Sequence, residues 1–204
     1  MKKVLCFGDS NTYGFIPSSG RRYDKNIRWS GIIQTLAQNN FEVIEAGCNN
    51  RTAFCDNPAG FNETGYKILP SFLTPDINIV ILAIGINDLQ FAYNVTLDEF
   101  EAGINKLVNI VHSKIPDAEI LLVSPSVIGE DILHSFFAAM FDHTSIEKSK
   151  HLSVIYKRIA EKENCKLLDL KEIARPSKID GLHYEEVEHK KIASAIFDIL
   201  NRIE

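Results

Sequence analysis

Basic residues never gather into a run in this chain: 22 Lys and Arg stand against 27 Asp and Glu, for a formal net charge of -5. Without a basic footprint, nucleic acid and anionic membrane surfaces are not expected partners. Long apolar stretches are missing too. Met1-Lys2-Lys3 precedes an apolar run, but that run covers only Val4 to Phe7 before Gly8, too short for a signal-peptide core or a membrane span. A cytoplasmic location is the resulting expectation. Cysteine is sparse, at positions 6, 48, 55 and 165 with no C-x-x-C pair, and reads as buried free thiols rather than disulfides or a zinc site. Neither G-x-G-x-x-G nor a Walker A sequence occurs, so no cofactor and no metal are expected. Linkers and repeats are also absent. The 204 residues, 45% hydrophobic and 24% charged, therefore read as one globular domain, 1–204.

What is present alternates. Apolar runs of strand length at Lys3–Phe7, Phe41–Ala46, Ile77–Ile84, Ile120–Val123 and Lys166–Leu170 predict five strands. Helical spacing predicts a helix from Trp29 to Ala37, a weaker one over Asn62–Leu73 interrupted by Pro70, and one opened by the capping pair Thr96 and Glu99. A long helix is expected over Ile146–Lys162, and a last one burying Val187, Ile192, Ile196 and Leu200. The segment 126–144 is the least regular; its Phe136, Phe137, Met140 and Phe141 suit an acyl pocket, a lid or a contact with another subunit. Alternating strands and helices with right-handed crossovers make an α/β fold, a parallel sheet with helices on both faces. The loops after Gly8, Gly47, Gly85 and Val123 would then open at one edge.

Those loops carry the chemistry. Gly8-Asp9-Ser10-Asn11-Thr12-Tyr13-Gly14 places Ser10 where a strand gives way to a helix. Acyl transfer needs a nucleophile, a base, a carboxylate that orients the base, and oxyanion donors. Ser10 is the candidate nucleophile, His183 the base and Asp180 its orienter. G-x-S-x-G is absent, which excludes the α/β-hydrolase elbow. Asp142-His143 is a rival pair with no strand to position it. Asp9 and Asp88 read as acceptors for backbone N–H groups at strand-to-helix turns. Arg51 suits either an anionic substrate group or a carboxylate within its own loop.

Four ordered blocks resemble the SGNH hydrolases, the GDSL-type esterases: Gly8-Asp9-Ser10-Asn11, Gly47, Gly85-Ile86-Asn87-Asp88 and Asp180-Gly181-Leu182-His183. Arg28-Trp29-Ser30-Gly31, Arg51-Thr52 and Val123-Ser124-Pro125 resemble bacterial arylesterases with acyltransferase or perhydrolase activity. The resemblance implies a flavodoxin-like α/β/α sandwich with five parallel strands, and a small acyl ester as substrate. It implies an oxyanion hole built from the N–H groups of Ser10 and Gly47 and the amide of Asn87, substrate contacts from Asn11, Trp29, Asn50 and Arg51, and a homo-oligomer. Asn50 stands where relatives often carry a small residue, which would narrow the acyl pocket. The expected activity is hydrolysis of short-chain aryl or alkyl esters through an acyl-serine, with acyl transfer to alcohols or peroxide; a carbohydrate acetylesterase is the alternative. A catalytically silent flavodoxin-like binding domain is the competing class, and it requires a cofactor fingerprint that this sequence does not contain.

Overall fold

The computed structural model describes residues 1–17 and 19–203. Its centre is β1 (Lys2–Gly8), whose Val4, Leu5, Cys6 and Phe7 are all fully buried. A strand apolar at consecutive positions can only be satisfied with cover on both faces, as in a parallel sheet. β1 pairs in parallel with β2 (Phe41–Gly47) on one side and β3 (Ile77–Ala83) on the other. β4 (Glu119–Ser124) and β5 (Lys166–Asp169) follow, giving the order β2-β1-β3-β4-β5. The chain thus runs outward to β2, returns past β1 and continues in the other direction. The reversal opens a crevice at the carboxyl ends of β1 and β3, where sheets of this order bind ligands. Register aligns those ends: Gly8 lies opposite Gly47 on one side and Ala83 on the other.

The helices in chain order are α1 (Ser10–Tyr13), α2 (Trp29–Ala37), α3 (Gly65–Ile68), α4 (Leu97–Lys114), α5 (His143–Ser149), α6 (Leu152–Lys162) and α7 (Glu186–Leu200). Alternate side chains of the strands divide the core. Val4, Cys6, Ile79, Ile81 and Leu121 pack with Ile33 of α2 and with Ile192, Ile196 and Leu200 of α7. Leu5, Phe7, Val80, Leu82 and Leu122 pack on the opposite face with Phe100 and Leu107 of α4 and Ile155 and Ile159 of α6. The capping box at Thr96 and Glu99 starts α4 as its sequence predicts.

Four local expectations need correction. The helix predicted over 146–162 is two helices, because Ser149 turns its hydroxyl back to the Ile146 carbonyl and accepts the Ile128 N–H, side-chain bonding that competes with helix continuation. The helix over 62–73 shrinks to α3 and a 3-10 turn, Leu69–Ser71, entered at Pro70. Val187 is 62% exposed on the first turn of α7, and His189 occupies the inward position instead. Only Cys6 is fully buried; Cys48, Cys55 and Cys165 are half-buried, and all four are free.

Candidate active site

Everything about the turn after β1 follows from its glycines and its acid. Asp9 caps α1 by accepting the Asn11 N–H, and Gly14 closes the turn in left-handed geometry at φ 87°. Gly8 is obligatory, because a Cβ there would lie 2.0 Å from Thr12 Oγ1 and 2.3 Å from the Ala83 carbonyl. The turn therefore presses directly onto β3. Ser10 emerges at the first helical position, 4% exposed, with its own N–H unused by the helix.

His183 reaches Ser10 from 173 residues away, with Nε2 2.9 Å from Oγ. Its Nδ1 lies 2.8 Å from Asp180 Oδ2, while Asp180 Oδ1 accepts the N–H groups of Leu182 and His183, both at 2.9 Å. Burial opposes ionisation of Asp180, but the His183 ring and these N–H donors outweigh it and hold the carboxyl below its ordinary value. An ionised Asp180 keeps the proton on Nδ1 and leaves the Nε2 lone pair facing the serine hydroxyl. Phe15 stacks on the imidazole at 4.1 Å between centroids, and Phe137 flanks it at 5.0 Å.

In front of Ser10 lies a cavity of about 240 Å³. One wall is polar, from Asn49, Asn50 and Asn87; the other is Phe15, Phe137, Met140 and Leu182. Asn87 donates one amide hydrogen to the Arg51 carbonyl at 3.0 Å, which leaves the second for the cavity. Gln90 donates to Oδ1 of both Asn50 (2.8 Å) and Asn87 (3.4 Å), tying the two amides together. A serine with a poised imidazole, facing neutral donors in a cavity with an apolar wall, is equipped for attack on a carbonyl carbon.

The GDSL-like lipase/acylhydrolase family model matches residues 6–187, which includes every residue of this constellation. The chain belongs to the GDSL-like lipase/acylhydrolase family. It resembles the aryl esterase of M. smegmatis at 26% identity and TM-score 0.91, with both chains fully covered. It resembles Est24, a carbohydrate acetylesterase from Sinorhizobium meliloti, at 29% identity and TM-score 0.93, again over both full chains. A lipase/acylhydrolase from Enterococcus faecalis shares the fold at 20% identity and TM-score 0.71, over 100% of this chain and 98% of that one. Among curated proteins, none matches the sequence. Family and neighbours make this SGNH-type chain a carboxylic ester hydrolase.

Several residues expected at the GDSL-family site sit elsewhere. Arg51 does not face the cavity. Its buried guanidinium donates to the carbonyls of Gly8, Ala46 and Asn62 and lies over the Phe7 ring at 4.6 Å, binding the ends of β1 and β2 to the following loop with no carboxylate partner among the described residues. Trp29 is buried behind the turn, against a void of about 20 Å³, and donates its indole N–H to the Asn11 carbonyl at 3.1 Å. Asn11 faces the same void, and its amide donates to the Leu182 carbonyl at 3.3 Å, joining the serine turn to the histidine loop. Both residues position the site and do not line the cavity. Gly47 does not line the cavity, and the space of its missing Cβ is filled by the Thr12–Tyr13 backbone, with Tyr13 N 2.2 Å away, so packing of the turn requires the glycine. Asn50, in left-handed geometry at φ 58°, lines the cavity in its place. Its backbone N–H has no acceptor among the described residues.

The rival carboxylates are scaffolding. Asp88 accepts the N–H groups of Ala53, Phe54 and Cys55, with burial pushing its carboxyl up to about 6. Asp142 caps α5, so Asp142-His143 forms no dyad. The irregular segment is a wall: Phe137 and Met140 line the cavity, whereas Phe141 is buried in the core. Sequence reasoning missed Phe15, whose signal was an aromatic directly after the glycine that closes the turn. It also missed Gln90, a buried amide three residues beyond Asn87.

Proposed function

We propose that this chain hydrolyses short-chain acyl esters through a covalent acyl-serine on Ser10. Ser10 Oγ attacks the ester carbonyl as its proton passes to His183 Nε2. The oxyanion is held by the N–H groups of Ser10 and Asn50 and by the Asn87 amide, in a hole that uses Asn50 where Gly47 was expected. Collapse breaks the bond to the alcohol, and His183 returns the proton to that leaving oxygen. Water then repeats the sequence in reverse and frees the acid; an alcohol or peroxide taking the place of water would give acyl transfer from the same intermediate. Asp180 stays ionised throughout and stabilises the imidazolium. The observation that carries this reading is the unbroken relay from Asp180 through His183 to Ser10, at 2.8 and 2.9 Å.

Short acyl groups follow from the confined cavity, which Asn50 and Met140 narrow. The test is turnover of aryl esters of increasing acyl length by the parent and by Ser10→Ala. We expect activity to peak at acetyl to butyryl groups and to fall by at least about 10⁴-fold in the variant. Equal rates in the two proteins would remove Ser10 as nucleophile. Deacetylation of carbohydrates is a second reading, supported by the wall of asparagine side chains and by the likeness to Est24. Acetylated sugars turned over faster than aryl acetates would favour it.

A further inference from the structure

Four neighbouring groups at the polar wall of the cavity close a ring of hydrogen bonds. Asn87 donates to the Arg51 carbonyl at 3.0 Å, and its Oδ1 accepts from Gln90 Nε2 at 3.4 Å. The same Gln90 nitrogen donates to Asn50 Oδ1 at 2.8 Å, and the chain itself joins Asn50 to Arg51. One point fixes the direction of the whole ring. A backbone carbonyl can only accept, so Asn87 turns its NH2 toward Arg51 and its oxygen toward Gln90. Gln90 then has to present its own NH2, and Asn50 has to meet it with oxygen. Both asparagine oxygens are thereby occupied. What remains is N–H: the second hydrogen of Asn87 and the Asn50 NH2, which has no acceptor among the described residues. Asn50 and Asn87 line the cavity, whereas Gln90, 7% exposed at the end of the 3-10 turn Ile86–Leu89, stands behind them. The adjacent charges are turned elsewhere: Asp88 accepts the N–H groups of Ala53, Phe54 and Cys55, and the Arg51 guanidinium bonds the carbonyls of Gly8, Ala46 and Asn62.

We propose that Gln90 is a positioning residue for ester hydrolysis, holding the Asn50 and Asn87 carboxamides so that this wall of the cavity presents N–H donors and no carboxamide oxygen; the proposal rests on the acyl-serine reading above. A carboxamide swung through half a turn keeps its shape and exchanges a donor for an acceptor. Facing a neutral ester carbonyl, that exchange forfeits a hydrogen bond. Facing an oxyanion, it sets the negative end of a dipole against a full negative charge, in a site with little water to screen it. The work of Gln90 therefore falls in the transition state, and its loss lowers kcat with KM unchanged. Gln90 also couples two loops. Asn50 follows β2 and Asn87 follows β3, and no other side chain bonds both carboxamides among the described residues.

Gln90→Glu keeps the shape and reverses the polarity. Ionised, the introduced carboxylate only accepts, so it draws the NH2 groups of Asn50 and Asn87 toward itself and turns their oxygens to the cavity; protonated, it donates again to one of them. With phenyl acetate as the probe, kcat at about pH 8 should fall about 100-fold, the scale of one lost oxyanion donor, with KM within about a factor of two of the parent's. Burial raises the pKa of the introduced carboxyl, so the variant-to-parent ratio of kcat should recover about 10-fold by about pH 5.5, the titration of His183 being common to both proteins. Gln90→Met removes the bonds without reversing them and should lose about 10-fold at every pH. A ratio that does not change with pH overturns the proposal, as does a loss confined to KM; Gln90 would then act through packing or substrate binding. Should Gln90→Glu fail to fold, Gln90→Met decides: kcat within about a factor of two of the parent's overturns the proposal. NMR of the side-chain amides gives a readout independent of turnover. In Gln90→Glu the Asn50 and Asn87 carboxamide resonances should follow the titration of the introduced carboxyl, and resonances that ignore it overturn the ring. If the parent does not hydrolyse phenyl acetate, the acyl-serine reading fails, and the NMR titration still decides the polarity of the ring separately.

Discussion

The two halves of the proposed relay are held by opposite means. Ser10 sits on a turn that the sheet itself delivers, six consecutive residues from Asp9 to Gly14 fixed by one cap, one left-handed glycine and direct contact with β3. His183 sits on a loop that no strand feeds, since β5 ends at Asp169. That loop is secured by its own turn, in which the Gly181 N–H bonds the Ser177 carbonyl and the Ser177 N–H bonds the His183 carbonyl, and by distant partners. Gly129 donates to the Gly181 carbonyl, Ser135 approaches the Asp180 carbonyl, Asn11 reaches Leu182, and Phe15 and Phe137 flank the ring. The proposed nucleophile is thus placed by local structure and the proposed base by long-range contacts.

The largest effect on this contrast should come from Asp180→Asn. The amide can present N–H to His183 Nδ1, which moves the ring proton to Nε2 and blocks acceptance of the Ser10 proton. We expect kcat to drop about 10⁴-fold with the fold intact by circular dichroism. Next is Gly181→Ala. Its φ is +69°, and a Cβ would lie 2.4 Å from Ile132 N and 2.6 Å from the Gly129 carbonyl, both backbone atoms of the neighbouring segment. Left-handed strain and overlap together should cost about 2–4 kcal/mol in a urea melt, with kcat falling more than KM rises because the base is displaced.

The halves should also separate by pH, with opposite signs. Burial pushes Asp9 up to about 7, above its unfolded value near 3.8. Its contribution is complete below the unfolded value and is lost as pH rises toward 7. Asp180, held below its ordinary value, contributes above that value and loses its contribution as pH falls through the folded one. Urea melts at pH 4.5 and 7.5 should therefore show Asp9→Asn gaining on the parent at the higher pH by a few kcal/mol. A gain at the lower pH instead would reverse the assignment. The smallest effect belongs to Asn11→Ala, which removes the bond from the serine turn to the Leu182 carbonyl and leaves the His183–Ser10 bond in place. It should cost about 1 kcal/mol of stability and lower kcat without changing KM; a KM effect alone would return Asn11 to the substrate.

Legibility in the sequence divides along the same line. The serine turn could be read because its determinants are contiguous: an apolar strand, Gly8, the Asp9 cap, Gly14. The five strands and the capped start of α4 were legible for the same reason. Trp29, Arg51 and Asn11 were misplaced because their family blocks announce proximity to the site without saying which way a side chain points. Gly47 was legible as a glycine of the site, and the packing of the Thr12–Tyr13 backbone against it was not. The break between α5 and α6 depends on a bond from Ser149 to Ile128, 21 residues away, and has no local mark.

By itself, then, the order of apolar runs and turn residues determined an alternating α/β chain and a serine at the end of its first strand, and it offered His183 and Asp180 as candidate partners for that serine. Periodicity and capping are short-range, so they survive in a linear reading. Tertiary structure alone decided the strand order that opens the crevice between β1 and β3, the choice of Asn50 over Gly47 at the cavity, the inward burial of Arg51 and Trp29, and the aromatic flanks of His183. Each depends on which distant groups meet once the core excludes water, and spacing along the chain does not encode that.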